Sequence, residues 1–500
     1  MEKAQENLSF KEKFAYSLGA IPNMFYTGLI GQIQAFYYAW MGLHPIYIII
    51  AQIFYAVWNV INDPIFGYLQ NRTRNKKGRY IPWIKWFSPL LSIALILVFF
   101  APQQWRFAFG GEETQILLFL WYLITLSFYD LCYTIVILAH VALMPQITDN
   151  FGDRTQMAIL KMIFSFLGIF FSYILPIVFL TNPTQEKIVA LRISTFIFGG
   201  ISIIPWAFLW TYVKERIELI PELQESFITN VKHVFRNPAC RIYMIYDGIS
   251  LGINQVVITS LTFFLAWTFG LDNPFATQST DVITIIGFFI FPIIGAVVGI
   301  WIQMWIPKKK DLKTLLLLDF VFMAIGFLIA FFGALPSPIQ SDIVYSPPPN
   351  RWIVSIGLGF VFMGFLGNMI YLDPLNSDVV DYDEFLTGNR RESVYSGINC
   401  IISKPMYSVV LAVFPTILAI YGLLPASPED PTSSALVVAS GFQSAITGVA
   451  IGSFLFPAIL AIIGLITFIW YPLDRNKLLE IRDALSQKHA QQRLTLHKSN

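Results

Sequence analysis

The chain has little charge, little cysteine and little histidine. Of its 500 residues 13% are Asp, Glu, Lys or Arg, which is about half the share of an average soluble protein, and 56% are hydrophobic. Low charge with high hydrophobicity excludes an intrinsically disordered chain. Three cysteines exclude a disulfide scaffold, and the five scattered histidines argue against a zinc site. The abundant apolar sequence therefore predicts an integral membrane protein.

The apolar sequence falls into runs that are long enough to cross a bilayer. A spanning helix needs about 20 mostly apolar residues, and about twelve such runs are present. We expect spans near 14–41, 46–70, 82–102, 115–143, 157–181, 190–213, 240–269, 280–305, 314–335, 352–377, 393–424 and 442–472. The expected fold is an all-α membrane protein with two pseudo-symmetric six-helix bundles.

A charged stretch at 214–239 divides the chain in the middle. It predicts an N-terminal bundle, a cytoplasmic central loop, a C-terminal bundle and a cytoplasmic tail, at residues 1–213, 214–239, 240–473 and 474–500. The loops after the second and eighth spans are both rich in Lys and Arg, as expected of the parallel repeats found in many transporters. A plain topology signal is the alternative explanation.

Positive charge alternates from loop to loop. Residues 72–79 and 308–313 are basic, whereas 42–45, 272–281 and 424–434 contain no Lys or Arg. By the positive-inside rule both termini are cytoplasmic, which agrees with an even number of spans. We expect a multi-pass protein of the plasma membrane.

Polar side chains inside the spans are the candidate functional residues, because a charge at mid-membrane costs about 2.5–3.5 kcal/mol on insertion scales. The densest group is Asn59, Asn62 and Asp63, which share one face of the second span. Asp130 and Thr134 lie one turn apart in the fourth span. Carboxylate and amide oxygens suit Na⁺, and a single carboxylate suits a proton. The alternative is that Asp63 pairs with an Arg or Lys at the cytoplasmic end of its span.

Two lysines also lie in apolar surroundings. Lys404 is deep in the eleventh span beside Pro405, where it either pairs with a carboxylate or orients a substrate. Lys161 lies closer to the start of its span, and there snorkelling to the cytoplasm is an alternative. For His140, Asp247 and Asp319 we expect packing hydrogen bonds rather than a functional role.

The sequence contains no HExxH, GxSxG or GxxxxGK[ST] pattern, and its cytoplasmic segments are too short for a catalytic domain. We therefore expect a transporter and not an enzyme, with no cofactor. The net charge of +2 gives no case for binding nucleic acid.

Several motifs, spread in order along the chain, resemble one family. They are Asn62-Asp63-Pro64-Ile65-Phe66-Gly67-Tyr68, Lys77-Gly78-Arg79-Tyr80-Ile81-Pro82-Trp83, Tyr133-Thr134-Ile135, Arg154-Thr155-Gln156 and Ser377-Asp378-Val379-Val380-Asp381-Tyr382-Asp383. The chain resembles the glycoside–pentoside–hexuronide:cation symporters, the family of the melibiose/sodium symporter within the major facilitator superfamily. The resemblance implies a major facilitator fold and symport of a sugar or glycoside with Na⁺ or H⁺, by alternating access.

The resemblance also implies a cation site. Asp63, Asn62 and Thr134 match the family's ligands, and a possible Na⁺ belongs at Asp63. Asn59 stands where the melibiose symporter has a second carboxylate, so the choice between Na⁺ and H⁺ stays open. We hypothesise that Asp130 restores the missing charge.

The sugar-binding positions depart from the family. The acidic residues that hold the sugar hydroxyls there correspond to Met24 and Ile137, which are apolar. A different sugar would use other polar side chains, of which the candidates are Asn23, Lys161, Asp373 and Lys404, the last matching the family's lysine. Animal lysophospholipid/sodium symporters also resemble this family, so a lysolipid or other amphipathic substrate is the alternative.

A cytoplasmic gate is expected where two charged loops meet. Three arginines of one loop would pair with acids of the other in the outward-open state, and these residues are Arg72, Arg74, Arg79, Asp378, Asp381 and Asp383. The expected partners of the chain are its substrate, the coupling cation and the bilayer, and we expect a monomer.

Overall fold

The computed structural model describes most of the chain. The described residues are 8–148, 184–215, 234–268, 287–305, 312–335, 350–388, 392–425, 436–438, 442–481 and 483–485, with residue 232 and isolated positions between 153 and 180. Helices dominate them. In chain order they are α1 (Phe10–Ser17), α2 (Ala20–Gly31), α3 (Pro45–Arg72), α4 (Ile81–Phe99), α5 (Phe107–Gly110), α6 (Gln115–Ile147), α7 (Gln185–Tyr212), α8 (Pro238–Thr268), α9 (Ile290–Trp305), α10 (Leu312–Ala334), α11 (Arg351–Thr387), α12 (Glu392–Ile420), α13 (Phe442–Ala450) and α14 (Phe456–Ile469).

Eight described segments are long and apolar enough to cross a membrane. They match eight of the predicted spans and are Pro45–Gly67, Ile81–Phe99, Gly111–Met144, Gln185–Tyr212, Leu312–Ala334, Arg351–Asn368, Ser403–Ile420 and Gln443–Ile469. Of the other four, the predicted spans 240–269 and 280–305 contain α8 and the shorter α9. The predicted span 157–181 lies largely outside the described residues.

The remaining predicted span, 14–41, is not one regular helix. It comprises the end of α1, all of α2 and a π-helical segment, Ala35–Trp40. Between α1 and α2, a Cβ atom on Gly19 would lie 2.9 Å from both the His140 ring and the Trp206 ring. The absent side chain lets the backbone approach these rings closely. Hydropathy depends on composition alone and gives no signal for such a break.

The chain forms two compact units. Unit 1 comprises the described parts of 1–221, 261–266 and 411–440. In it α6 packs against α3 and α4, and α7 packs against α4. The Tyr26 hydroxyl of α2 lies 3.3 Å from the Ser92 hydroxyl of α4 and 2.8 Å from the Ser202 hydroxyl of α7. Hydrogen bonds between membrane helices each contribute roughly 0.6–2 kcal/mol, so this triad holds three helices together.

Unit 2 comprises the described parts of 222–260, 267–410 and 441–500. Here α11 packs against both α9 and α10. The contacts are lined with glycine: a Cβ on Gly295 of α9 would collide with the Gly359 carbonyl of α11, and a Cβ on Gly326 of α10 would lie 2.5 Å from the Gly357 oxygen. Small residues allow helix backbones to approach closely in membranes, where van der Waals contact drives association.

A short hairpin follows α12. Gly422 turns the chain with φ of 82°, a left-handed value that favours glycine. Strand β1 (Leu423–Pro425) then pairs antiparallel with β2 (Leu436–Val438). The Tyr38 hydroxyl donates to the Leu423 carbonyl, which joins the hairpin to the π-helical segment of the same unit. The predicted division into 1–213, 214–239, 240–473 and 474–500 stays a prediction.

Candidate functional site

The polar residues of α3 occupy one face of that helix. Tyr55, Asn59, Asn62 and Asp63 follow one another at helical spacings of four, three and one residues, and all four are buried. Residues three and four apart on a helix are neighbours. This shared face lies against α6, to which its side chains are hydrogen-bonded.

Three hydrogen bonds join this face to α6. The Thr134 hydroxyl donates to Asp63 Oδ1 at 2.9 Å. The Asn62 amide donates to Asp130 Oδ2 at 3.1 Å, and the Tyr55 hydroxyl donates to Asp130 Oδ1 at 2.9 Å. We call these five residues together with Asn59 the α3–α6 cluster. The cluster brings together all five predicted cation-binding residues.

The amide groups of the cluster have different roles. Asn59 donates to the Tyr55 carbonyl at 3.0 Å, one turn back in its own helix. Asn62 donates its N–H to Asp130, and its buried Oδ1 has no hydrogen-bond partner among the described residues. A buried amide oxygen without a partner is costly, and it lies next to the Asp63 carboxylate along the chain. Such an oxygen is a suitable ligand for a cation.

Carboxylate, amide and hydroxyl oxygens are the ligands that hard cations prefer. No three described His, Cys, Asp or Glu side chains come together in a way that would hold a metal ion. The α3–α6 cluster instead offers two carboxylates, one amide oxygen and one hydroxyl. Its chemistry suits a single monovalent cation or a proton.

A second polar group lies between α2 and α6. The Tyr133 hydroxyl donates to Asn23 Oδ1 at 3.1 Å, and the Thr27 hydroxyl lies 3.4 Å from the Tyr133 hydroxyl. Tyr133 is adjacent to Thr134, so it is next to the α3–α6 cluster in the chain. At the neighbouring position Met24 packs closely on Gly168, where a Cβ would lie 2.5 Å from the Met24 Cβ. The polar Asn23 and the apolar Met24 thus have separate surroundings.

The predicted lysines are both partly buried. Lys161 lies within electrostatic range of His140, and Lys404 lies in α12 of unit 2. Asp373 belongs to α11, but its side chain lies outside the described part of the structure.

His140 has the packing role that the sequence favours. Its Nε2 lies 3.0 Å from the Tyr16 carbonyl, and the Tyr16 hydroxyl donates to the His140 carbonyl at 3.1 Å. Its ring also contacts the rings of Tyr16 and Trp206. These contacts fix α1 on α6 and α7.

The predicted gate residues differ in exposure. Arg72 and Arg74 are exposed, and Arg79 is partly buried. Asp378 and Asp383 of α11 are buried, and Asp381 is partly buried. Pairing between these arginines and acids stays a prediction.

Glu215 holds the start of α4, a contact that the sequence did not reveal. Its carboxylate accepts three backbone N–H groups, from Arg79 at 2.6 Å, Tyr80 at 2.8 Å and Ile81 at 3.0 Å. The Tyr80 and Ile81 N–H groups are among the donors that a helix N-terminus leaves unpaired. Gly78, with φ of 109°, leaves room for the carboxylate, because a Cβ there would collide with it. Glu215 thus ties the start of the central loop to the basic loop.

Two tyrosines were also missed. Tyr55 orients Asp130, and Tyr133 binds Asn23. Tyr55 stands one turn before Asn59, so extending the helical face by one turn would have included it.

The chain is similar to known symporters over most of its length. It is 24% identical to an uncharacterized symporter of Synechocystis, across 86% of this chain and 88% of that protein. It is 20% identical to the isoprimeverose transporter of Lactiplantibacillus pentosus, across 97% and 92%. A shorter match, 29% identical across 33% of this chain and 30% of that protein, is to the mouse sodium-dependent lysophosphatidylcholine symporter 1.

Among solved structures, the nucleoside transporter NupG has a similar fold. Its TM-score is 0.59 with 12% identity, across 92% of this chain and 99% of NupG. The predominantly helical fold and the similarity to symporters along most of the chain define a multi-pass membrane transporter and not an enzyme. Residues 15–475 match the family described as MFS/sugar transport protein, and the chain belongs to that family. The family resemblance and the helical major facilitator fold that the sequence predicted are confirmed.

Proposed function

We propose that this protein is a symporter that binds its coupling cation, Na⁺ or H⁺, in the α3–α6 cluster. The observation that carries the proposal is the joining of Asp63 to Thr134 and of Asn62 to Asp130 across two helices. Among the described residues, these bonds leave the buried Asn62 Oδ1 without a hydrogen-bond partner. A cation bound there would use that oxygen together with the oxygens of Asp63 and Thr134.

Asp130 supplies the second carboxylate in this proposal. Asn59, at the family's position for that charge, directs its amide to its own helix. Asp130 lies on α6 and accepts hydrogen bonds from Tyr55 and Asn62 of α3. Asp130 on the neighbouring helix α6 thereby replaces the carboxylate that Asn59 lacks, and the proposed site has two carboxylates.

The proposed substrate is a sugar or glycoside, held by Asn23, Lys161, Asp373 and Lys404. The hydrogen-bonded group of Asn23, Thr27 and Tyr133 supports this choice, because amides and hydroxyls match the hydroxyls of a sugar. Both termini are proposed to be cytoplasmic, with the protein in the plasma membrane as a monomer.

A lysolipid is the second candidate substrate. Met24 packs on Gly168 in a position where the sugar symporters that the sequence resembles carry an acid. The mouse lysophosphatidylcholine symporter is similar over a third of the chain. An apolar contact at this position suits an acyl chain better than a hydroxyl.

Cation binding can be tested without knowing the substrate. The thermal stability of the purified protein is measured in NaCl and in choline chloride of equal ionic strength, at several pH values. A cation at 100 times its dissociation constant stabilises the folded state by about 2.7 kcal/mol. We expect Na⁺ or acid pH to stabilise the wild type, and Asp63→Asn to lose that effect.

Glu113→Gln is the matched control, because Glu113 is an exposed acid in the segment Gly111–Thr114. It should respond as the wild type does. An identical response of Asp63→Asn and the wild type to both Na⁺ and pH would refute the cation site. Uptake of labelled sugars, glycosides and lysophosphatidylcholine into proteoliposomes, under imposed Na⁺ or H⁺ gradients, then separates the two substrate classes.

A further inference from the structure

A second buried carboxyl group lies in unit 2. Asp319 of α10 is fully buried, with 0% of its surface exposed. Its Oδ1 lies 2.5 Å from the Gln303 side-chain amide of α9. Its Oδ2 has no hydrogen-bond partner among the described residues, and neither has Gln303 Oε1. Among the described residues, the Gln303 amide is thus the one hydrogen-bond partner of this buried carboxyl group.

Glycines of α11 close the space around this group. A Cβ on Gly367 would collide with Asp319 Oδ2 and with the Gln303 amide, and a Cβ on Gly364 would collide with the Asp319 carbonyl. The backbone contact at Gly364 requires glycine, and a side chain at Gly367 would displace the Asp319 and Gln303 polar groups. The α11 backbone thus covers Asp319 directly and keeps it out of solvent.

The neighbouring titratable groups carry no charge at neutral pH. On α8 the Tyr246 phenol lies near Asp319, and on α11 the Tyr371 phenol does, donating to the Gln303 carbonyl at 2.7 Å. Phenols ionise only near pH 10. Among the described residues, Asp319 forms no salt bridge, and its hydrogen-bond partner is the neutral Gln303 amide. An ionised Asp319 would therefore have no counter-charge bonded to it in this part of the structure.

Burial of an unpaired charge costs far more than burial of a neutral hydrogen-bonded group, and such a group takes up a proton instead. Because the oxygen and nitrogen of a glutamine amide are interchangeable in position, a protonated Asp319 can donate to the Gln303 amide oxygen.

We propose that Asp319 is a proton-binding site that is separate from the α3–α6 cluster. Its carboxyl group is neutral at neutral pH and donates its hydrogen to the side chain of Gln303. The site lies within unit 2, whereas the proposed cation site lies within unit 1. The proposal that Asp319 binds a proton does not depend on whether the coupling ion is Na⁺ or H⁺.

The experiment is infrared spectroscopy of the purified full chain in lipid at neutral pH. A protonated carboxyl group gives a C=O band apart from the bands of carboxylates and amides, and the band shifts in ²H₂O. We expect Asp319→Asn to lose such a band from the wild-type spectrum. Glu113→Gln, which changes an exposed acid, should keep it.

A second variant keeps the proposal testable if Asp319→Asn does not fold. Gln303→Met removes the amide acceptor and should move the band to the frequency of a carboxyl group without that hydrogen bond. The proposal is overturned if the carboxylic band is the same in the wild type, Asp319→Asn and Gln303→Met. Stabilisation by Na⁺ or by acid pH, whichever the wild type shows, is also measured on Asp319→Asn. It separates this outcome from failure of the cation site, because that effect should persist.

Discussion

Removal of the Glu215 carboxylate should loosen the start of α4. Three backbone N–H groups, those of Arg79, Tyr80 and Ile81, donate to this one side chain. In Glu215→Ala they lose their acceptor and must turn to water. We expect the helix to begin later and the preceding loop to open more often.

The size of the effect follows from the geometry. Removal of a typical N-cap side chain costs about 0.5–2 kcal/mol, and interaction of a carboxylate with the helix dipole contributes about 0.3–1 kcal/mol. Glu215 is partly exposed, so water offsets part of the loss. A cost of about 2 kcal/mol for Glu215→Ala is reasonable, which is a factor of about 30 in the opening equilibrium.

Hydrogen–deuterium exchange of the peptide that contains residues 79–83 measures this opening directly. Exchange in Glu215→Ala should be about 30-fold faster than in the wild type. Glu215→Gln should have an intermediate rate, because an amide oxygen still accepts but carries no charge. Glu113→Ala, an exposed acid in another loop, should leave this peptide unchanged. Equal exchange of residues 79–83 in Glu215→Ala and the wild type would refute the reasoning.

Two further changes test the cluster and the helix packing. Tyr55→Phe removes the hydroxyl that donates to Asp130, and a hydrogen bond to a charged group contributes about 1.5–3 kcal/mol. The midpoint of cation stabilisation should therefore shift by at least about tenfold: to higher Na⁺ if the hydroxyl orients Asp130 as a Na⁺ ligand, or to higher pH if Asp130 binds H⁺, because a carboxylate that loses a donor holds a proton more tightly. An unchanged midpoint for both ions would show that the bond from Tyr55 to Asp130 does not contribute to the site. Gly326→Val places a side chain against the Gly357 oxygen and should lower stability by about 1–3 kcal/mol or more, measured as a lower unfolding temperature. Gly200→Ala, which has open space around it, is the control, and an equal loss there would show that the contact is not the cause.

Apolar runs predicted much of the fold. Eight predicted spans coincide with long apolar helices of the described residues, because the bilayer fixes both the length and the composition of a spanning helix. The broken course of residues 14–41 could not be predicted in this way. Its break depends on Gly19 lying against two rings from α6 and α7, and a hydropathy pattern contains no information about such a neighbour.

Helical spacing predicted which polar residues share a face, but not how they pair. Asn62 and Asp63 are adjacent, and Asp130 and Thr134 are one turn apart. The sequence did not predict that Asn62 is hydrogen-bonded to Asp130 and Asp63 to Thr134. This pairing depends on how the two helices are rotated about their axes. The contact between Glu215 and the start of α4 could not be predicted for a related reason, because Glu215 lies 136 residues from Arg79 in the chain.

The glycine contacts of α11 have a consequence for helix separation. At Gly357 and Gly359 the backbone of α11 meets the backbones of α10 and α9 closely. Glycine loses no rotamer freedom when such a contact forms. A larger residue at either glycine would add rotamers that the contact must order and would hold the helices apart. The two glycines of α11 therefore set both the separation of these helices and the residues that a variant must keep.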